Sequence, residues 1–270
     1  MTRATLKALC AAGFATLILM PLAARADQII DLTSLGNVSG TFSTDSSGGT
    51  VIYSYNFFQT SGTGSIDSFV RLGTNGTTEQ GYNTSGGTPL DTKSGMFTHD
   101  LALGAMTATG GYYAFTLDIN QNGNELLSLD DVQLYAGAGG QTTTTINGDG
   151  TLPLGTLLYR MDRTAAVASD NTVLLKFTNG SGAGEMLMFV PTSIFAGYGP
   201  TQNIILYSHF GGYMPPTYET NDGFEEWANI TLGPPGASTP EPATMVTLAT
   251  MLGVAGCFAY RWNRGRKVSN

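Results

Sequence analysis

Residues 112–135, which read YYAFTLDINQNGNELLSLDDVQLY, decide the fold class of this chain. The two ends of the stretch, residues 112–117 and 132–135, are rich in the aromatic and β-branched side chains that suit a pleated sheet. Between them, Asn122-Gly123 is a residue pair typical of tight turns. The stretch therefore predicts two strands joined by a loop.

The same pattern recurs through the middle of the chain, where apolar runs alternate with clusters of Gly, Ser, Thr and Asn. No long segment outside the two ends has a convincing helical period. The predicted strands are residues 28–32, 50–58, 68–72, 112–119, 132–135, 157–160, 172–177, 185–190, 203–207 and 226–232. Many short strands without helices predict an all-β, antiparallel β-sandwich that is jelly-roll-like. A right-handed β-helix is the rival architecture, but it requires a repeat that the sequence barely shows.

The N-terminal end has the three parts of a secretory signal peptide. Arg3 and Lys7 precede an apolar run, residues 8–22, and the small residues Ala24 and Ala26 follow it. This order predicts cleavage by signal peptidase before Asp27.

The C-terminal end predicts a membrane span with a stop-transfer signal. Pro240, Glu241 and Pro242 precede the uncharged apolar run 243–260, whose 18 residues would rise about 27 Å as a helix, close to the hydrocarbon thickness. The basic residues of the tail follow it: Arg261, Arg264, Arg266 and Lys267. Because positive charges flank both apolar runs on the cytoplasmic side, the residues between them are predicted to be exported.

The tripartite C-terminus resembles the PEP-CTERM sorting signal of Gram-negative bacteria, a region also described as that of ice-binding proteins. Residues 117–135, 190–193 and 223–227 resemble segments of other ectodomains of that family. The resemblance implies a single-pass precursor in the inner membrane that exosortase, an integral membrane enzyme, recognises and processes. The product would then act at the cell surface or outside the cell.

The sequence thus predicts four parts. They are a signal peptide (1–26), a β-sandwich ectodomain (27–232), a linker (233–239) and the sorting signal (240–270), which comprises the motif 240–242, the helix 243–260 and the tail 261–270. Within the ectodomain, the Gly- and Ser-rich residues 36–49 are predicted to be a further linker.

The charge of the exported region limits its partners. Residues 27–239 hold 19 of the 20 acidic and five of the 12 basic residues, which gives a formal charge of −14. Such a surface repels nucleic acid and anionic lipid, and it suits divalent cations and neutral polymers. Both cysteines, Cys10 and Cys257, lie in the hydrophobic ends, so the exported region can form no disulfide.

One segment has the spacing of a calcium loop. Asp118, Asn120 and Asn122 alternate and glycine takes the sixth position, as at the start of an EF-hand loop. The twelfth position is a leucine, and Asp130 and Asp131 follow it. The prediction is a strand-loop-strand in which these five residues face one structural Ca²⁺; the alternative is a plain hairpin turn.

Catalytic motifs are absent from the sequence. His99 and His209 stand alone, and no G-x-S-x-G, H-E-x-x-H, P-loop or dinucleotide fingerprint occurs. Glu225 and Glu226 are adjacent, so on a strand they are predicted to point to opposite faces and cannot form an acid/base pair.

Four aromatic residues are candidates for stacking on sugar rings: Tyr198, Tyr213, Tyr218 and Trp227. Residues 197–216, rich in Gly, Tyr and Pro, are the candidate exposed aromatic loop. Together with the sorting signal, they favour a non-enzymatic adhesive or exopolysaccharide-associated protein. The alternatives are a secreted carbohydrate-active hydrolase or lyase on the same scaffold, and a purely structural envelope component.

Overall fold

Two β-sheets contain almost all of the regular structure. The computed structural model describes residues 27–34, 39–43, 49–56, 66–121, 125–162, 170–177, 184–221 and 223–234. The predicted signal peptide, sorting motif, span and basic tail lie outside them. Within these ranges there are thirteen strands and two short 3₁₀ helices, Leu103–Ala105 and Thr192–Phe195, and no α-helix.

The strands, numbered in chain order, have the following bounds. They are β1 (Ile29–Asp31), β2 (Ser39–Ser43), β3 (Thr50–Tyr55), β4 (Ser68–Leu72), β5 (Glu79–Tyr82), β6 (Leu101–Ala102), β7 (Tyr112–Asp118), β8 (Leu126–Gly137), β9 (Thr156–Arg160), β10 (Thr172–Lys176), β11 (Met186–Pro191), β12 (Asn203–Phe210) and β13 (Glu225–Ile230).

One sheet has seven strands and the other has six. The order in the first is β1-β10-β8-β12-β5, with β6 paired to β12 and β9 to β8; the order in the second is β2-β3-β11-β7-β13-β4. The prediction of an antiparallel fold holds for every strand pair but one, because β1 runs parallel to β10, with Ile29 opposite Thr172. Antiparallel neighbours exclude the rival β-helix, whose coils stack in parallel.

The two sheets share one hydrophobic core. Trp227 of β13 is fully buried and its Nε1 donates a hydrogen bond of 3.2 Å to Ser208 Oγ of β12, in the opposite sheet. The hydroxyls of Tyr53 in β3 and Tyr159 in β9 meet across the core at 3.0 Å. Each polar tip thus finds a partner inside an apolar interior, which avoids the penalty of a buried unpaired group.

Strand β8 has 12 residues, three times the length that its sequence predicts, and it contains a β-bulge. His209 of β12 lies opposite Asp131, but the next residue, Phe210, lies opposite Leu129, so Asp130 is the extra residue. The extra residue shifts by one position the set of side chains of β8 that face the core. Leucines before it and Val132 after it can therefore both face the core.

The ten predicted strands all coincide with observed ones, but three observed strands were not predicted. The interpretation of residues 36–49 as a linker was wrong, because Ser39–Ser43 forms β2 and pairs with β3. Gly40 explains the weak signal: a Cβ there would meet Ile30 at 2.5 Å, so the strand needs glycine where a strand pattern expects a side chain. Strands β5 and β6 are too polar or too short to show alternation.

No helix within the described ranges is long and apolar enough to span a bilayer. The predicted span, residues 243–260, falls outside those ranges.

Candidate functional site

An open groove lies at the edge of the six-stranded sheet, beyond the end of β4. It consists of two adjoining depressions of about 400 and 470 Å³. The first is lined by Gly73, Thr74, Asn75, Thr88, Leu90, Asp91, Thr92, Lys93 and Ser94, and the second by Arg71, Gly73, Thr74, Asn75, Lys93, Ser94, Gly223 and Phe224. Because five residues belong to both, we treat them as one surface, the edge groove.

Backbone hydrogen bonds fix the walls of the edge groove. Gly73 N–H donates to Asp91 C=O at 3.2 Å, and Lys93 N–H donates to Arg71 C=O at 2.9 Å. The loop that carries Asp91 and Lys93 therefore runs beside β4 almost as an extra strand. A Cβ at Gly73 would meet the Phe224 ring at 2.6 Å, so a larger residue there would displace this ring.

Arg71 is the most constrained side chain of the groove. Its Nε donates to Glu226 Oε1 at 2.6 Å, and its guanidinium lies 3.6 Å from the centroid of the Phe97 ring and 5.0 Å from that of Phe224. Ser68 Oγ donates to the same Glu226 oxygen at 3.0 Å. An ion pair and cation–π contacts together hold the guanidinium in one orientation.

The groove offers both apolar and hydrogen-bonding groups to solvent. Phe224 is 41% exposed, which is unusual for a large aromatic side chain. Asn75 and Ser94 are exposed and Thr74 is half-buried on the same walls. This combination suits a ligand with one apolar face and many hydroxyl groups.

Two carboxyl groups are buried between the sheets close to the groove. Glu79 of β5 and Glu225 of β13 are each 1% exposed, and their side chains hydrogen-bond to each other. Gln121 Nε2 also donates to Glu225 Oε1 at 2.9 Å. With both carboxyls ionised, Glu79 Oε1 and Glu225 Oε2 would find no donor among the described residues. A proton on one carboxyl supplies a donor to the other.

The environment of this pair favours the protonated form. Burial raises the pKa of Glu79, and the hydrogen bond and negative charge of Glu225 raise it further. Burial also raises the pKa of Glu225, although hydrogen bonds from Glu79 and Gln121 oppose the shift. A glycosidase needs two carboxyls about 5–10 Å apart with a sugar between them. A buried pair in direct contact cannot serve that reaction.

Glu225 and Glu226 point to opposite faces of β13, as the sequence predicts. Glu225 meets Glu79 and Gln121 between the sheets, whereas Glu226 pairs with Arg71 beside the groove.

The predicted calcium ligands lie on two different sheets. Asp118 ends β7 in the six-stranded sheet, where its Oδ1 accepts a hydrogen bond of 3.1 Å from Gly184 N–H. Asn120 follows it and is half-buried, and Asn122 lies outside the described residues.

Asp130 and Asp131 belong to β8 in the seven-stranded sheet. Asp130 Oδ2 accepts from Gly212 N–H at 2.6 Å, and Asp131 pairs with Arg160 at 3.4 Å. In the part of the chain that the structure describes, no three His, Cys, Asp or Glu side chains are grouped so as to hold a metal ion.

The aromatic residues proposed to contact sugar differ in their exposure. Trp227 has no exposed surface and is corrected to a core residue, because its ring lies between the sheets. Tyr213 and Tyr218 are half-buried and pack on each other, with ring centroids 5.8 Å apart. Tyr198 is half-buried against the core. The predicted aromatic loop 197–216 is divided by β12, a buried strand.

The residues of the edge groove were not predicted as a site. They come from three separate segments, residues 71–75, 88–94 and 223–224. Nothing in the sequence distinguishes Phe224 as exposed, because most aromatic residues of a β-sandwich lie in the core. The neighbouring Asn75-Gly76 predicts a turn, but a turn alone does not predict a groove.

Comparison of the chain with protein-family models, curated proteins and solved structures found no match.

We expect the buried carboxyl pair to make the protein less stable as the pH rises. A carboxyl whose folded pKa lies above its unfolded value of about 4.3 stabilises the fold fully below that value. The contribution is lost as the pH rises through the raised folded pKa. Besides Glu225, Glu79 faces the charges of Asp91 and Lys93. Glu79→Gln should remove this titration and increase the free energy of unfolding at pH 8 by about 1–3 kcal/mol.

The measurement is urea unfolding between pH 4 and pH 9, with Glu125→Gln as the control. Glu125 has a 64% exposed side chain and pairs with Lys176. Burial also raises the pKa values of Asp130, Asp131 and Asp162. These groups therefore also lower the free energy of unfolding as the pH rises. The difference between variants is therefore the test. Equal pH slopes for both variants would contradict the assignment.

Proposed function

We propose that this chain is an exported, non-enzymatic protein of the cell surface or extracellular matrix that binds a polysaccharide in the edge groove. The observation that carries the proposal is the exposed Phe224 ring beside a fixed Arg71, among hydroxyl and amide side chains. An aromatic ring can stack on the apolar face of a sugar, while polar side chains accept and donate hydrogen bonds to its hydroxyls.

The scaffold of the proposed function is a jelly-roll-like β-sandwich. Two sheets with a common core support this proposal, as does a strand order in which neighbours in each sheet are mostly distant in sequence. Such a scaffold presents loops at the edges of rigid sheets, which is where the groove lies.

The sorting part of the proposal rests on the two ends of the sequence. Signal peptidase would remove residues 1–26, and exosortase would process the C-terminal signal at Pro240, Glu241 and Pro242. The inner membrane would hold the precursor through residues 243–260 until then. The formal charge of −14 in residues 27–239 supports an extracellular polymer rather than nucleic acid as the partner.

Substituting alanine for Pro240, Glu241 and Pro242 should trap the precursor in the inner membrane. The physical reason is that two prolines hold an extended backbone that a membrane enzyme can grip. Cell fractionation followed by immunoblotting checks this expectation. A matched control replaces Pro234 and Pro235 in the predicted linker, which should leave processing unchanged. Recovery of the intact full-length chain from the cytosol would refute the export proposal.

Phe224→Ala should weaken binding of the whole chain to polysaccharide by about three- to tenfold, the loss expected for one ring contact. Ile146→Ala is the control, because Ile146 is 40% exposed and lies outside the lining of the groove. Glycan-array screening identifies the polymer, and affinity electrophoresis then gives the dissociation constants. Equal affinities for the two variants would show that the edge groove is not the binding site.

A structural Ca²⁺ at the turn after β7 also remains a proposal, with Asp118 and Asn120 as its ligands among the described residues. Asp130 and Asp131 are left out because they lie on the other sheet, where they bond to Gly212 and Arg160. Alternating carboxylate and amide oxygens at the start of the loop are the ligands that Ca²⁺ prefers, which supports the proposal.

EDTA should lower the melting temperature of the protein by about 5–10 °C, the effect of removing a cation present at about a hundred times its Kd. In Asp118→Asn the amide oxygen can still accept from Gly184, but the effect of EDTA should disappear. Asp130→Asn should retain it. A melting curve that EDTA leaves unchanged in the original protein would exclude the ion.

A further inference from the structure

The guanidinium of Arg71 is fixed in position while most of its donors stay unused. A guanidinium carries five N–H groups. Its Nε donates to Glu226, and Phe97 and Phe224 contact its faces. Its two Nη nitrogens have no hydrogen-bond partner among the residues that the structure describes. These four donors lie in one plane at the border of the groove, since Arg71 lines the second depression.

A second cation stands on the same wall. Lys93 lines both depressions, is exposed, and its backbone N–H bonds to Arg71 C=O. Its ammonium group forms no ion pair or hydrogen bond with any described residue. Of the two acids close by, Glu226 already accepts from Arg71 and Ser68, and Asp91, which lines the first depression, accepts from Gln80 N–H through its Oδ2 at 2.9 Å. The Nη donors of Arg71 and the ammonium group of Lys93 are therefore the groups of the groove that can meet an anion.

The groove concentrates cations that are rare in the rest of residues 27–239. Residues 27–239 contain five basic residues, and two of the five, Arg71 and Lys93, lie on the groove. A planar guanidinium binds a carboxylate through two parallel hydrogen bonds, and a fixed guanidinium does so at little entropic cost. The Phe224 ring lies beside the guanidinium and can stack on the apolar face of a sugar ring.

We propose that the edge groove recognises a uronic acid unit, a sugar whose carboxylate is bound by the Nη groups of Arg71 and by Lys93. The Phe224 ring packs on the face of the same sugar, and Asn75 and Ser94 serve its hydroxyls. This inference rests on the proposed polysaccharide binding and specifies its substrate class.

The test compares two polymers that differ only in the carboxylate. The whole chain, purified in mild detergent, is run by affinity electrophoresis against polygalacturonate and against the galactan made from it by carboxyl reduction. We expect binding to polygalacturonate to be at least about tenfold tighter, the gain of a charge-assisted bidentate contact. Sulfated galactan, which carries charge without a planar carboxylate, is the third polymer and should bind weakly.

Three variants locate the contact. Arg71→Lys keeps the charge but loses the two parallel donors of the guanidinium, and should weaken polygalacturonate binding about tenfold and galactan binding much less. Lys93→Gln should weaken it about two- to fivefold. Lys176→Gln, a cation paired with Glu125 away from the groove, should have no effect. If Arg71→Lys does not fold, Lys93→Gln still decides the question, because the ammonium group of Lys93 forms no ion pair or hydrogen bond with a described residue.

The outcomes separate this inference from the proposed function. If polygalacturonate and galactan bind equally, and this binding is lost in Phe224→Ala but not in Lys93→Gln, recognition of a uronic acid is overturned while the polysaccharide site stays in place. Sulfated galactan binding as tightly as polygalacturonate would overturn carboxylate recognition in favour of charge alone. If the protein binds none of the three polymers, both the uronic acid inference and the proposed polysaccharide binding are refuted.

Discussion

The contact between the two sheets across one apolar core is the constraint on which the rest of the structure depends. Residues 27–239 contain no cysteine, so no disulfide can hold the sheets together. Burial of apolar surface must supply the stability, and large side chains such as Trp227, Tyr53 and Phe115 are fully buried for that purpose. The polar tips of Trp227 and Tyr53 bond across the core, so the two sheets are fixed in register as well as held together.

Strand β13 connects this core to the edge groove. Four consecutive residues have four different surroundings: Phe224 is exposed at the groove, Glu225 is buried against Glu79, Glu226 holds Arg71, and Trp227 fills the core. Since alternate side chains of a strand point to opposite faces, any shift of β13 by one residue would exchange these environments. The anchoring of Trp227 therefore also fixes the positions of Phe224 and of Glu226, which holds Arg71. The rigidity of the proposed site comes from the core beneath it.

The sequence predicts those parts of the fold that depend on local pattern, and misses those that depend on distant contacts. Strand β4 was predicted at its observed bounds because three of its five residues are apolar, whereas β2 was missed because Gly40 makes room for Ile30. The bulge at Asp130 depends on the register with β12, which no local pattern reveals. Likewise the groove joins Arg71 to Phe224 across 153 positions of sequence. Exposure of Phe224 and burial of Trp227 are both set by tertiary packing.

The two electrostatic features of the molecule act over different distances. The charge of −14 on residues 27–239 is felt through solvent over roughly a Debye length, about 8 Å at physiological ionic strength. The cations of the groove act at contact, where a fixed guanidinium forms directed hydrogen bonds that salt screens far less. A uronic acid polymer bound as we propose would be repelled at a distance and held on contact. Polyanions whose groups cannot reach Arg71 would then be rejected, and the acidic surface would contribute to the selectivity of the site.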